Sequence, residues 1–206
     1  SRIVFAPSVN EKHVLWLKLV AHGEGGHGSM PQGDNAVEIL DRALARIMDA
    51  KPGLEAAGDH PIVSLMRKHL GAFADNRYTN AITKNTITLT SFQAGVGNPP
   101  KVNVIPTEAT ATLDCRLLPG VSIPDFLARL KQVIADERVA LEIVHQPAEA
   151  PAGSRHDTAL FSTIEQVVKE AYPEAVVVPQ LLPGGTDSRF FRANGTAYIV
   201  MKYEKG

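Results

Sequence analysis

The chain has 206 residues, a formal net charge of -1 and a single cysteine, Cys115. That length accommodates one large domain or two small ones with a real core. The near-neutral balance makes no electrostatic case for nucleic acid or an acidic membrane, and one cysteine rules out an intramolecular disulfide and any cysteine-based zinc site.

No apolar run reaches the roughly 18 residues of a membrane span, and no signal peptide is visible. The chain opens at Ser1-Arg2-Ile3-Val4-Phe5 without Met. It reads as a processed or excised piece, which leaves the compartment unknown.

Val14 to Ala21 alternates, with Leu15, Leu17 and Leu19 on one face, and predicts a strand. The stretch Gly23-Glu24-Gly25-Gly26-His27-Gly28-Ser29-Met30-Pro31 follows. Its glycines are expected to carry the backbone through conformations closed to other residues. Asp34 is the expected cap of a helix with Val37, Leu40, Leu44 and Ile47 on its stripe, stopped at Lys51-Pro52-Gly53. Residues 54–83 read as an insertion, with one short helix over 61–73 and a loop over 76–80. Thr86 to Phe92, Glu108 to Leu118 and Val139 to His145 predict strands, and Ser122 caps a helix between the last two. The order is β-α-β-β-α-β, that of a ferredoxin-like sandwich.

Residues 146–154 are rich in Pro, Ala and Gly and read as a linker. Beyond it, Asp157 is the expected cap of a helix with Leu160, Phe161, Ile164, Val167, Val168 and Ala171 inward. A short strand over 175–178, a Gly-rich turn at Pro183-Gly184-Gly185-Thr186-Asp187-Ser188-Arg189, a short helix and a strand over 197–201 complete the chain. One helix, two strands and a loop close no core alone, so this tail is read as part of a larger α/β domain. The fold class is therefore α+β, a ferredoxin-like domain followed by a partial α/β segment.

Singly, the chemical motifs have bland readings. Gly23-x-Gly25-x-x-Gly28 matches a dinucleotide pattern by letter, but Pro31-Gln32-Gly33 separates it from the helix. Asp114 and Arg116 share a strand face and make an ordinary ion pair. Asn103 before Pro106 is a turn residue. The remaining histidines show no metal-ligand spacing.

Together, His27-Gly28-Ser29-Met30-Pro31, Asn103-Val104-Ile105-Pro106, Asp114-Cys115-Arg116 with Leu118-Pro119-Gly120, and Gly185-Thr186-Asp187-Ser188-Arg189 resemble the M20 family of zinc metallopeptidases. The insertion is similar to that of the carboxypeptidase S branch. The resemblance implies a lid and dimerisation domain over residues 12–148 and the returning C-terminal segment of the catalytic domain over 149–206. It implies that His27 reaches into the partner subunit's site and polarises the scissile carbonyl, with help from Asn103. It implies that Arg116 binds a substrate carboxylate, and that Gly185 and Thr186 line the pocket. The substrate class is a small peptide or an N-acyl amino acid, and the lid forms a homodimer.

The family's cofactor is zinc, two ions per site, held by a His-x-Asp segment, a bridging Asp, a Glu-Glu pair, a further acid and a last His. None of these motifs, and no general-base Glu, stands in this sequence. The expectation is a lid portion of an M20 hydrolase, inactive alone and holding no metal. The alternative is a stand-alone dimerisation or binding module. The lid is expected to swing on flexible linkers near residues 11–13 and 146–154.

Overall fold

In a computed structural model, residues 2–31, 33–72, 76–146 and 153–205 are described. The first strand, β1 (Arg2–Glu11), was absent from the sequence reading. After it come β2 (His13–His22), β3 (Gly26–His27), α1 (Ala36–Glu55), α2 (Pro61–Leu70), α3 (Arg77–Thr83), β4 (Thr86–Ala94), β5 (Val104–Ile105), β6 (Glu108–Leu117), α4 (Ile123–Ile134) and β7 (Val139–His145). Then follow α5 (Ala159–Ala171), β8 (Val176–Val177), β9 (Gln180–Leu182), α6 (Ser188–Arg192) and β10 (Val200–Lys205).

Strands β4-β6-β2-β7 form one antiparallel sheet in that order, as a β-α-β-β-α-β chain requires. Leu15, Leu17, Leu19, Leu113, Cys115 and Leu117 face α1 and α4, which cover one side. Each of the fully buried leucines is worth about 1.5–3 kcal/mol relative to exposure. The opposite side carries Trp16, Lys18, Thr112, Asp114 and Arg116 and is left open by these helices.

Local rules mispredicted several boundaries. Asn35, not Asp34, caps α1, its side chain accepting from the Val37 amide at 2.9 Å. Pro52 does not stop that helix. Its last turn persists because Leu54 is buried and Glu55 has inward partners: Glu55 accepts from the Ile87 amide at 2.9 Å and from Lys84 at 2.8 Å. Asn76 starts a helix, α3, through a capping box where a loop was expected. The helix expected over 61–73 ends at Leu70, and Phe73 lies outside the described residues. Thr158 caps α5 in place of Asp157, which instead pairs with Arg155. Only Phe161 and Val168 of α5 are buried; Leu160 and Val167 are exposed. The last strand begins at Val200, three residues later than expected, and β9 was missed.

The tail is not closed by its own strands. It completes a second sheet on β1, which pairs with β10 antiparallel and with β8 and β9 in parallel. Both sheets meet where β1 passes into β2.

That junction corrects the expected hinge. Glu11, Lys12 and His13 are all buried. Lys12 Nζ donates to the carbonyls of Ala81 and Lys84, both at 2.8 Å, and to Thr86 Oγ1 at 3.2 Å. The insertion straps the same place. Val63, Met66 and Ile82 pack with Leu118 of the first sheet's margin and with Val178 and Leu181 of the second. Tyr78 donates to Gln180 Oε1 at 2.9 Å. A backbone so enclosed is a fixed joint, not a loose linker. At the other expected hinge, residues 147–152 lie outside the described residues, while Ser154 is tied to the Val9 carbonyl at 2.7 Å.

Burial pushes the Lys12 ammonium down to about 7, aided by Arg116 and Lys84 and opposed by Glu55 and Asp114. Below that value the folded chain must bury a cation; above it the folded amine is neutral while the unfolded one stays charged up to about 10.4. Stability of the native chain relative to a Lys12→Met variant is therefore expected to rise between pH 7 and 10. Urea midpoints of both proteins at pH 6, 8 and 9.5 check this, and a constant difference would contradict it.

Candidate functional site

The Gly-rich stretch does not work as expected. The positive-φ glycines among the described residues are Gly71, Gly95, Gly97 and Gly120, none of them in 23–28. Gly23 is required by contact: a Cβ there would lie 2.0 Å from the Asp34 carbonyl oxygen. The stretch is also structured. His27 pairs with Val104 in the β3–β5 ladder, and the Gly28 amide donates to the Asn103 carbonyl at 2.9 Å.

This pairing brings His27 and Asn103 together, 76 residues apart in sequence, with Nε2 of one 3.2 Å from Nδ2 of the other. Asn103 Nδ2 can only donate, so in this contact Nε2 accepts, while the Ser29 amide donates to Nδ1 at 3.2 Å; a neutral ring has one hydrogen and accepts at one nitrogen at a time. With the ring hydrogen on Nε2, that N–H and the Asn103 amide can both turn to one ligand oxygen in place of their contact with each other. Both residues are exposed.

Arg116, Gly185 and Thr186 gather elsewhere. Arg116 pairs across the sheet with Val14, and a Cβ on Gly185 would meet Val14 Cγ2 at 3.0 Å. The 183–188 loop thus abuts the rung of the ladder that carries Arg116. The Arg116 fork is bidentate on Asp114, Nε to Oδ1 at 2.6 Å and Nη2 to Oδ2 at 2.8 Å. Asp114 fixes the plane of the guanidinium, and Nη1 remains to meet a ligand.

Arg116 lies near one end of β6, and the β3–β5 ladder with His27 precedes the other end. The ladder from Arg116 to Glu108 runs roughly 27 Å at about 3.4 Å per residue, and His27 and Asn103 lie beyond its Glu108 end.

The sequence reading missed a buried ion pair beneath the second group. Arg192 Nη1 donates to Glu11 Oε2 at 3.2 Å, with both side chains fully buried, and Thr186 Oγ1 donates to the same oxygen at 2.5 Å. Their separation by 181 residues left no local signal. An acid at the end of a strand whose middle, Ile3 to Pro7, is apolar was the available hint.

Residues 9–142 match the model of the peptidase dimerisation domain of M20 enzymes. The chain belongs to the M20 peptidase family. This M20 chain is 30% identical over 208 residues to the human N-fatty-acyl-amino acid synthase/hydrolase PM20D1, covering 89% of itself and 40% of that protein. It is 25% identical over 210 residues to the probable carboxypeptidase S-like 2 of Dictyostelium discoideum, covering 93% and 40%. Among solved structures, the M20 metallo-carboxypeptidase Sso-CP2 of Sulfolobus solfataricus aligns with TM-score 0.60 at 18% identity over 94% of this chain and 58% of that one. AtUAH in complex with glyoxylate aligns with TM-score 0.66 at 15% identity over 95% and 40%. The chain thus spans about 40% of the length of the curated relatives it matches.

M20 relatives include a metallo-carboxypeptidase by name. The donors described here do not fit a metal centre. Among the described residues no three His, Cys, Asp or Glu side chains converge. Glu11 Oε2 is committed to Arg192 and Thr186. The Cys115 thiol is sealed in the core, where burial pushes it up to about 12. No helix among the described residues is long and apolar enough to cross a membrane.

Proposed function

We propose that this chain is the lid and dimerisation portion, with part of the pocket wall, of an M20 zinc hydrolase. The enzyme cleaves amide bonds of small peptides or N-acyl amino acids that bear a free carboxylate, and its metal is held by residues other than these. Residues 12–148 make the lid and 149–206 belong to the catalytic unit, which β1 joins. The observation that carries the reading is the length of β6, which lies between Arg116 and the β3–β5 ladder that holds His27. Both groups serve one small substrate only if they come from two copies of the chain.

Arg116 Nη1 then holds the substrate carboxylate beside Gly185 and Thr186. His27 and Asn103 of the partner copy place their N–H groups on the scissile carbonyl oxygen, where negative charge develops on attack. Their contact at 3.2 Å keeps the two side chains side by side, so both can reach one ligand oxygen when the ring hydrogen is on Nε2. The two-copy arrangement also gives the sheet's edge strands, β4 and β7, a route to cover.

Light scattering at high micromolar concentration is expected to return a dimer. With a metal-bearing segment supplied, Arg116→Met is expected to raise KM for an N-acyl amino acid by roughly 10-fold or more and to leave its carboxamide analogue unaffected. A monomeric chain, or equal losses on both substrates, counts against the reading. A dimer that stays inert with that segment present favours a binding module.

A further inference from the structure

The loop read above as pocket wall rests on a buried carboxylate. Glu11 is the last residue of β1 and pairs in register with Leu182, the last of β9, from which the loop departs. The side chain is wholly buried. Its Oε2 already accepts from Arg192 Nη1, and Arg192 is itself pinned, Nη2 to the Ser8 carbonyl at 2.9 Å and Nε to the Ala197 carbonyl at 3.3 Å. Oε2 is therefore an acceptor with no freedom to move, and the Thr186 hydroxyl donates to it.

A hydroxyl has one hydrogen and two lone pairs. In Thr186 the hydrogen is spent on Glu11, and one lone pair takes the Ser188 amide at 3.3 Å. We propose that Glu11 sets the polarity of Thr186, so that this hydroxyl only accepts from a ligand and selects a substrate carrying an N–H next to the carboxylate held by Arg116. The selectivity rests on the pocket reading above; the polarity stands on the hydrogen bonds alone. Thr186 is half-buried and its neighbour Gly185 exposed, so the loop that carries this hydroxyl borders solvent. The secondary amide of an N-acyl amino acid or a peptide C-terminus supplies that N–H. An N-methylated amide cannot, and its carbonyl finds no donor at this oxygen. Glu11 is thus a positioning residue and Thr186 a specificity-determining one.

Two measurements on the 206-residue chain test this. By NMR, the Thr186 hydroxyl proton is expected to be visible through slow exchange with water, with cross-relaxation to the Glu11 side chain. The Glu11→Leu/Arg192→Leu double variant, which removes the charges as a pair, is expected to lose that signal while the β2–β6 amides exchange as before. A wild-type hydroxyl exchanging like a free threonine, or a signal that survives the double substitution, overturns the polarity. In the second measurement, N-acetylalanine is expected to bind at least roughly 10-fold tighter than N-acetyl-N-methylalanine, read from the Gly184–Ser188 amide shifts. Thr186→Ser is expected to keep that ratio and Thr186→Val to bring it close to one. An unchanged ratio in Thr186→Val overturns the selectivity. Failure of both ligands to bind, with the hydroxyl signal present, overturns the pocket reading and the selectivity with it, while the polarity holds.

Discussion

His27→Ala in a complete enzyme built on this lid is expected to lower kcat by about 100- to 1,000-fold, with dimer mass and metal content unchanged. That factor is what one positioned donor at a developing oxyanion is worth, about 2.7–4 kcal/mol. The ring is exposed and its hydrogen bonds go to Asn103 and the local Ser29, so its loss empties no core. The decisive form of the test mixes two inactive proteins, one His27→Ala and one disabled at its metal. In a heterodimer the intact His27 faces the intact metal at one of the two sites. Random subunit exchange at equal amounts is then expected to return roughly a quarter of native activity. The length of the sheet is the physical reason: Arg116 and His27 stand too far apart to share a small substrate within one chain. No recovery despite proven exchange would mean that His27 acts in its own subunit or not at all.

Arg192→Met is expected to destabilise the chain by about 3–5 kcal/mol, because it leaves the Glu11 carboxylate buried without its counter-charge. Both side chains are fully buried, so water cannot replace the lost partner. Replacing both, as Glu11→Met with Arg192→Met, is expected to recover most of that loss, since desolvating two ions cost nearly what their attraction returned. The exposed pair of Arg155 with Asp157 supplies the contrast: Arg155→Ala is expected to cost less than about 1 kcal/mol, despite a 2.6 Å contact. Urea unfolding of the four proteins measures all of this. A double variant as unstable as Arg192→Met would show that the pair contributes more than it costs to bury.

The first sheet was readable because its information is local. Alternation along Leu15-Leu17-Leu19 and Ala111-Leu113-Cys115 states which face is inward, and period two leaves no freedom of register once that face is buried. The short motifs around His27, Asn103, Arg116 and Gly185-Thr186 were equally legible as a family resemblance, and the match to the dimerisation-domain model supports that identity. Boundaries set by long-range partners were not. Nothing near Pro52 shows that Glu55 will find Ile87 and Lys84 and so hold a further turn. β1 could not be assigned because its partners, β8, β9 and β10, lie at the far end of the chain.

What the sequence by itself determined is the family, the α+β class and the inward faces of β2 and β6 in the first sheet. Those properties follow from periodicity and from contiguous motifs. Only the tertiary structure decided that His27 meets Asn103, that Arg116 shares its end of the sheet with Gly185 and Thr186, and that the two groups stand a strand's length apart. It alone turned the expected hinge at 11–13 into a buried joint strapped by the insertion, and set Glu11 against Arg192 and Thr186. The reason is the same throughout: these relations join residues tens to hundreds of positions apart. They are fixed by which surfaces pack, and that is a property of the folded chain rather than of any stretch of it.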